Sequence, residues 1–227
     1  MLLKKWEDLP SEMQIPEVRE YYDILKKKRF SLFLKRAFDI FVSSVALLLL
    51  SPVFLILAVA IKADSKGPVF YRQTRVTRYG KEFRIFKFRS MVTDADKGSL
   101  LTVGGDSRIT RTGRFIRKYK LDELSQLIDV FRGTMTFVGT RPEVPKYVAK
   151  YTPEMLATLL LPAGITSEAS VYYKDENDLL DASDDVEKTY TEVVLPDKMK
   201  YNLDAIRKFN FFYDIRIMIL TALAIFR

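Results

Sequence analysis

The sequence contains no histidine and no cysteine. Their absence excludes a Ser-His-Asp triad, a cysteine nucleophile, an imidazole or thiolate zinc site and a disulfide framework. Any chemistry must therefore use carboxylates, Lys, Arg, Tyr, Ser, Thr, backbone amides or a hard cation with oxygen ligands. The 227 residues are 48% hydrophobic and 29% charged, which argues against disorder throughout and against a polytopic membrane protein.

Charge is distributed unevenly along the chain. Residues 62–120 carry 16 Lys and Arg against 5 Asp and Glu, a net charge of +11. Residues 151–197 carry 2 against 11, a net charge of −9. A basic region of this kind attracts polyanions, which include nucleic acid, anionic lipid and phosphorylated small molecules.

Residues 40–61 form a stretch of 22 residues without a charge. As one helix it would be ~33 Å long, enough to cross a hydrocarbon core of ~30 Å. Lys and Arg flank it on both sides, whereas a single span has its basic excess on the cytoplasmic side only. Ser51-Pro52 divides the stretch and removes one backbone hydrogen bond. We expect a re-entrant helix-break-helix that enters and leaves on one side; a Pro-kinked spanning helix is the alternative.

Hydrophobic periodicity and turn residues predict the remaining elements. We expect a short amphipathic helix ending near Lys28, a β-hairpin from residues 69–71 and 83–89, and a strand followed by a loop at residues 136–145. Helices are predicted at residues 121–131, 153–161, 199–209 and 211–226. The predicted fold class is α+β and mostly helical, with one β-hairpin, the re-entrant membrane helix and amphipathic interfacial helices. The predicted divisions are an N-terminal extension (1–31), the membrane hairpin (32–64) and a catalytic domain (65–227).

Asp122-Glu123 is the acidic pair with the most informative surroundings, because a basic stretch precedes it and an amphipathic pattern follows it. One interpretation is a pair of first-turn helix acids whose pKa values the helix N-terminus lowers. The other is a nucleophile and a partner acid among cations that hold a phosphorylated substrate. Arg141, beside the rigid Pro142, is either a surface turn residue or a bidentate phosphate ligand. The Asp94-Ala95-Asp96 triplet matches a metal-binding pattern of glycosyltransferases, but such short acidic matches are common by chance.

Several motifs occur in a fixed order along the chain. They are residues 35–39 (KRAFD), Ser51-Pro52, residues 67–73 (GPVFYRQ), residues 86–91 (FKFRSM), Arg117 with residues 121–124 (LDEL), and residues 138–142 (VGTRP). This ordered set resembles the small monotopic phosphoglycosyl transferases, bacterial sugar transferases that begin glycan assembly on a polyprenyl phosphate. The resemblance covers residues 34–226, most of the chain.

The resemblance implies a reaction and a role for each site residue. Asp122 would attack the β-phosphate of a UDP-sugar, release UMP and carry a phosphosugar that polyprenyl (undecaprenyl) phosphate then accepts. Glu123 would assist through metal or proton handling, with Asp122 and Glu123 as ligands of Mg²⁺. Arg117 and Arg141 would hold phosphate, and Lys87 and Arg89 are further candidates for that role.

The implied location is the cytoplasmic face of a bacterial inner membrane, where a monotopic enzyme meets membrane lipid and serves exopolysaccharide assembly. Nucleic acid is not an expected partner, and homo-oligomerisation is left open. The chain departs from the family pattern at Thr140 and Ser167, at Asn202, where relatives carry an acid, and in an acidic insert near residues 175–192. These differences leave the sugar open. A basic membrane-attached nucleic-acid-binding protein and a membrane adaptor are the alternatives.

Overall fold

The computed structural model describes residues 2–93, 108–173 and 176–225. Asp94 and Asp96, and also Asp175 of the acidic insert, lie outside these ranges. The α-helices are α1 Pro16–Lys27, α2 Arg29–Asp64, α3 Arg111–Lys118, α4 Gln126–Arg132, α5 Pro145–Val148, α6 Glu168–Tyr172, α7 Glu176–Asp181, α8 Val186–Thr189, α9 Leu195–Lys208 and α10 Phe211–Ile225. The strands are β1 Phe70–Tyr71, β2 Thr74–Val76, β3 Glu82–Arg84, β4 Lys87–Phe88, β5 Met135–Val138 and β6 Ala163–Thr166.

The long apolar helix predicted from the uncharged stretch is present as α2, whose 36 residues are long and apolar enough to cross a membrane. The helix continues through Ser51-Pro52. Pro52 has no N–H for the carbonyl of Leu48, and the Ser51 hydroxyl donates to that carbonyl instead, at 2.8 Å. The predicted break at Ser51-Pro52 therefore does not interrupt the helix, because the hydrogen bond that Pro52 cannot donate is partly replaced by that of the Ser51 hydroxyl.

Burial along α2 is confined to its two ends. Its buried residues before the dipeptide are Leu32, Lys35, Asp39 and Ser43, and after it Leu57 and Ile61. Residues 44–56 include none that is buried. Both ends of α2 therefore pack against protein, while its apolar middle is largely exposed apart from Phe54, whose ring lies 5.2 Å from that of Phe88.

The N-terminal residues pack into the main core. Val18, Tyr21 and Leu25 on the apolar face of α1 lie in one cluster with Leu160 and Ile206. The Tyr21 hydroxyl donates to the carboxylate of Glu154 at 2.5 Å. The amphipathic helix is confirmed, while the division of the chain at residue 31 stays a prediction.

The sheets are small. The predicted hairpin between residues 69–71 and 83–89 is present as β1 paired antiparallel with β4. Between them, β2 and β3 form a second antiparallel pair, in which β2 was not predicted. β5 confirms the predicted strand, but its parallel partner β6 was not predicted. Gly139 and Gly164 allow this pairing, since a Cβ on Gly164 would lie 2.2 Å from the Gly139 backbone. The fold is thus mostly helical α+β, as expected, with one additional parallel pair that carries the chain into the Arg141 loop.

Candidate active site

A tight turn presents Asp122 and Glu123. After α3, Lys120 adopts the left-handed conformation (φ 53°), and residues Leu121–Glu123 form a 3₁₀ turn before α4 begins at Gln126. A non-glycine residue in this region is uncommon and typical of functional turns. The two acids therefore precede α4 and do not occupy its first turn, which corrects the interpretation based on that helix.

Glu123 is held between two cations. Its carboxylate accepts a hydrogen bond from Lys87 Nζ at 3.3 Å and bonds from both terminal nitrogens of Arg141, one of them at 3.4 Å. Burial alone would raise the pKa of Glu123, but Arg141 and Lys87 lower it to about 2. The structure therefore brings three predicted site residues, Lys87, Glu123 and Arg141, together around one carboxylate that is ionised at neutral pH.

Asp122 has the opposite environment. Its half-buried carboxylate makes no ion pair with a described residue. Burial raises its pKa, Lys87 opposes this, and the neighbouring Glu123 carboxylate raises it further. The sequence-based idea that a helix N-terminus lowers both pKa values is wrong for Asp122. Adjacent carboxylates are thus separated into a paired anion and an unpaired, poorly solvated one, the arrangement expected of groups with different chemical roles.

Buried polar residues that the sequence reading missed fix the position of Lys87. The Asp129 carboxylate accepts from the backbone N–H of Phe86 at 2.8 Å and from the Thr134 hydroxyl at 3.2 Å. The Ser125 hydroxyl donates to the carbonyl of Phe86 at 3.1 Å. Because Lys87 directly follows Phe86, these bonds set the strand that directs Lys87 toward Glu123. A lone Asp inside an amphipathic helix gives no sequence signal for such a role.

The loop that carries Arg141 is held from two sides. Arg75 donates to the carbonyl of Pro142 at 3.0 Å, and the N–H of Val76 donates to the carbonyl of Glu143 at 2.9 Å. The buried Glu143 carboxylate accepts from the Tyr190 hydroxyl at 2.7 Å. Tyr190 belongs to the acidic segment near residues 175–192, so this segment supports the loop.

The two other predicted phosphate ligands, Arg117 and Arg89, do not contact Glu123. The side chain of Arg117, in the last turn of α3, makes no hydrogen bond with a described residue, although its charge acts on Asp122. Arg89 is buried, and its guanidinium donates to the carbonyls of Ser65 at 2.7 Å and Lys66 at 2.8 Å. Arg89 therefore caps the C-terminal end of α2 and is not brought to the Glu123 cluster.

The donor set can be tested against the expected Mg²⁺. Within residues 2–93, 108–173 and 176–225, no group of three or more acidic side chains could hold a metal ion. Mg²⁺ is commonly bound by one or two carboxylates together with substrate phosphates, and it keeps several waters. The unpaired carboxylate of Asp122 fits that mode, whereas Glu123 is already occupied by Lys87 and Arg141. The residues present thus fit a Mg²⁺ that arrives with a diphosphate.

Comparison with known proteins identifies relatives of the whole site. Residues 30–227 match the model of the bacterial sugar transferase family. The Escherichia coli (strain K12) UDP-glucose:undecaprenyl-phosphate glucose-1-phosphate transferase is 37% identical over 193 residues, which are 83% of this chain and 39% of that protein. A UDP-N-acetylgalactosamine-undecaprenyl-phosphate N-acetylgalactosaminephosphotransferase from Aeromonas hydrophila is 42% identical over 124 residues, 54% of this chain and 29% of that protein.

A shorter relative is covered almost completely. A Bacillus subtilis (strain 168) protein, provisionally named as an undecaprenyl-phosphate N-acetylgalactosaminyl 1-phosphate transferase, is 34% identical over 156 residues. The matched part is 68% of this chain and 87% of that protein. The chain therefore spans less than half the length of the first two relatives and most of the third.

Proposed function

The chain belongs to the bacterial sugar transferase family, and from this premise we propose that it transfers a sugar 1-phosphate from a UDP-sugar to polyprenyl phosphate. UMP is the released product. The observation that carries the proposal is the division of labour in the acidic pair: Glu123 is clamped by Lys87 and Arg141, while Asp122 beside it has no ion pair among the described residues. A desolvated carboxylate next to two cations suits nucleophilic attack on a phosphate.

The first half-reaction forms a covalent intermediate. A carboxylate oxygen of Asp122 attacks the β-phosphorus of the UDP-sugar and forms a new P–O bond. The bond from that phosphorus to the bridging oxygen breaks, and UMP leaves with the bonding electron pair. Arg141 and Lys87 both contact Glu123 and are thereby held beside Asp122. From there they stabilise the negative charge that develops on the phosphate oxygens.

The second half-reaction regenerates the enzyme. A phosphate oxygen of polyprenyl phosphate attacks the phosphorus held on Asp122, the carboxylate leaves, and polyprenyl diphosphate-sugar is formed. Neither half-reaction needs a net proton transfer when both phosphates are ionised. Mg²⁺, held by Asp122 and the substrate diphosphate, would supply charge neutralisation in addition to that from Arg141 and Lys87.

A re-entrant arrangement of α2 belongs to the same proposal. Near one end of α2, Arg36 donates to the carbonyl of Val130 at 2.7 Å; at the other, Arg89 donates to the carbonyl of Ser65. The bond from Phe86 N–H to Asp129 ties these two docking points into one unit. From Arg36 to Ser65 a straight helix would extend about 44 Å. Docking of both ends on one unit, with an unburied apolar middle, favours entry and exit on a single, cytoplasmic side.

The direct test is a screen of the purified chain in lipid nanodiscs for UMP release. UDP-glucose and UDP-N-acetylgalactosamine head the panel because the relatives named above use them. With polyprenyl phosphate present, turnover is expected with at least one UDP-sugar. Without it, each active site should release at most one UMP and gain one phosphosugar by intact-protein mass spectrometry. A lack of UMP release across the panel would reject the proposal.

A further inference from the structure

Helix α3 has one face that packs and one that does not. Its inward residues are Gly113 and Ile116, both buried. Gly113 lies so close to strand-flanking backbone that an added Cβ would be 1.9 Å from the Ser90 carbonyl oxygen. The outward residues are all exposed, and we call them the α3 face: Arg111, Arg114, Phe115, Lys118 and Tyr119. The tight inward contact fixes which side of α3 points away from the protein.

The three cations of the α3 face are not engaged in ion pairs within the described part of the chain. None of Arg111, Arg114 and Lys118 forms an ion pair or donates a side-chain hydrogen bond to a described residue. Lysines elsewhere, such as Lys35 and Lys198, are paired with carboxylates. Arg111 acts electrostatically on Asp64, but Arg114 and Lys118 have no acidic partner among the described residues, and positive charge of this kind is complementary to an external anionic surface.

Two aromatic side chains accompany these cations. Phe115 is 54% exposed and Tyr119 56% exposed, with ring centroids 4.9 Å apart. Lys118 Nζ lies 5.5 Å from the centre of the Tyr119 ring. Aromatic rings beside Lys and Arg are enriched where protein meets the headgroup region of a bilayer, because the ring is apolar and its edge or hydroxyl is polar. A nucleic-acid backbone would account for the cations alone.

The position of α3 points to the same partner. Ile116 packs in one cluster with Leu57 and Ile61, the buried residues in the second half of α2. The carboxylate of Asp64, at the end of α2, accepts from the N–H of Thr112 at 2.7 Å. The α3 face therefore lies beside the point where the uncharged stretch of the chain ends, at the level expected for lipid headgroups.

We propose that the α3 face docks on the anionic phospholipid headgroups of the bilayer. Arg111, Arg114 and Lys118 contact lipid phosphates, while Phe115 and Tyr119 insert at headgroup level. Each cation near an anionic membrane surface improves binding about fivefold, so the three together give about 100-fold preference for anionic over neutral lipid. This inference does not rest on the proposed transferase reaction.

The test uses the absence of cysteine in the full chain. Tyr119→Cys carries an environment-sensitive dye, and the protein is reconstituted into nanodiscs of neutral lipid with increasing fractions of anionic phospholipid. Brominated lipids report the contact by quenching the dye. The matched partner is the same labelled chain with Arg111→Gln, Arg114→Gln and Lys118→Gln. A dye at Lys200→Cys, on a highly exposed side chain of α9, is the position control.

Docking predicts that quenching at residue 119 rises with anionic lipid, falls in high salt, and loses its lipid dependence in the triple variant. Equal quenching in neutral and anionic discs would overturn the proposal. So would a response to polyprenyl phosphate alone, which would make the face an acceptor site, or a dye response to duplex DNA that matches the response to anionic lipid. UMP release measured on the same samples reports on the transferase proposal separately.

Discussion

Arg141 donates through both terminal nitrogens of its guanidinium to the carboxylate of Glu123. A bidentate pair of this type fixes the position and orientation of both side chains. The guanidinium of Arg141, which the sequence predicted to bind substrate phosphate, is therefore bound by Glu123, the residue next to the proposed nucleophile Asp122. A bound diphosphate must share Arg141 with Glu123, which gives Glu123 the role of holding this cation in place beside Asp122.

Replacing Arg141 by Lys tests whether turnover depends on the planar, bidentate guanidinium or only on its positive charge. Lys keeps the positive charge but cannot bond both carboxylate oxygens in one plane. Loss of one or two charge-assisted hydrogen bonds, at about 1.5–3 kcal/mol each, should lower turnover by at least tenfold. UMP release gives the rate, and Arg216→Lys, at an exposed side chain of α10, is the matched control. Near-normal turnover in Arg141→Lys would support the alternative interpretation, in which Arg141 is a surface turn residue without a role in phosphate binding.

The Glu123 clamp should contribute to stability in a defined pH window. The pKa of Glu123 is about 2 in the folded protein, below its usual value of about 4.3. The ionised clamp is then fully present above pH ~4.5 and is lost as the pH falls toward 2, a contribution of about 3 kcal/mol. Thermal unfolding of the wild type and Glu123→Gln should converge over that window. A stability difference that is constant from pH 7 to 3 would contradict the clamp.

Re-entrance of α2 predicts that both of its flanks face the same side. Single cysteines at Phe33 and Lys66 should both be shielded from a membrane-impermeant thiol reagent added to intact cells. Pro52→Leu should restore the backbone hydrogen bond to Leu48 and move part of the population toward a spanning orientation. Labelling of either site in the unmodified background would identify a spanning helix.

Lys120 is predicted to be a point of backbone strain that positions the acidic pair. Its φ of 53° favours glycine, so Lys120→Gly should leave the free energy of unfolding unchanged or raised, while Lys120→Val should lower it by about 1–3 kcal/mol. Lys118→Val, in ordinary helix, should cost at most about 0.7 kcal/mol. Chemical denaturation of the three variants provides the comparison. Equal losses for valine at both positions would exclude strain at Lys120.

Sequence patterns within short segments predicted the helices and strands that depend only on local residues. The apolar helix α2, the amphipathic helix α1 and the strand β5 were each predicted from the residues of that element alone. The parallel pairing of β5 with β6 was not, because four-residue strands separated by a long connection carry no pairing signal.

The order of the motifs identified four residues of the site from the sequence: Lys87, Asp122, Glu123 and Arg141. Which of the acids is paired depends on tertiary contacts, as do the capping role of Arg89 and the positioning role of Asp129. Local spacing placed the acids in a helical first turn, whereas the left-handed Lys120 places them on a separate turn. The pKa of Asp122 is therefore raised by burial and not lowered by a helix N-terminus.

The last prediction separates covalent from direct transfer. Asp122→Asn removes the attacking charge at almost constant shape, so the variant should form no phosphosugar adduct and lose nearly all turnover. Glu123→Gln keeps Asp122 and should retain a slow first half-reaction with weakened phosphate binding. Rates against both substrates should follow a ping-pong pattern in the wild type.

The pH dependence of adduct formation provides a second, independent test of Asp122 as the nucleophile. Because burial raises the pKa of Asp122, the rate of adduct formation should begin to fall at a higher pH than an exposed Asp would give. Rapid-quench mass spectrometry across pH follows the adduct directly, without polyprenyl phosphate. Sequential kinetics with no adduct on an active preparation would exclude Asp122 as the nucleophile, and its carboxylate would then serve the metal that accompanies the diphosphate.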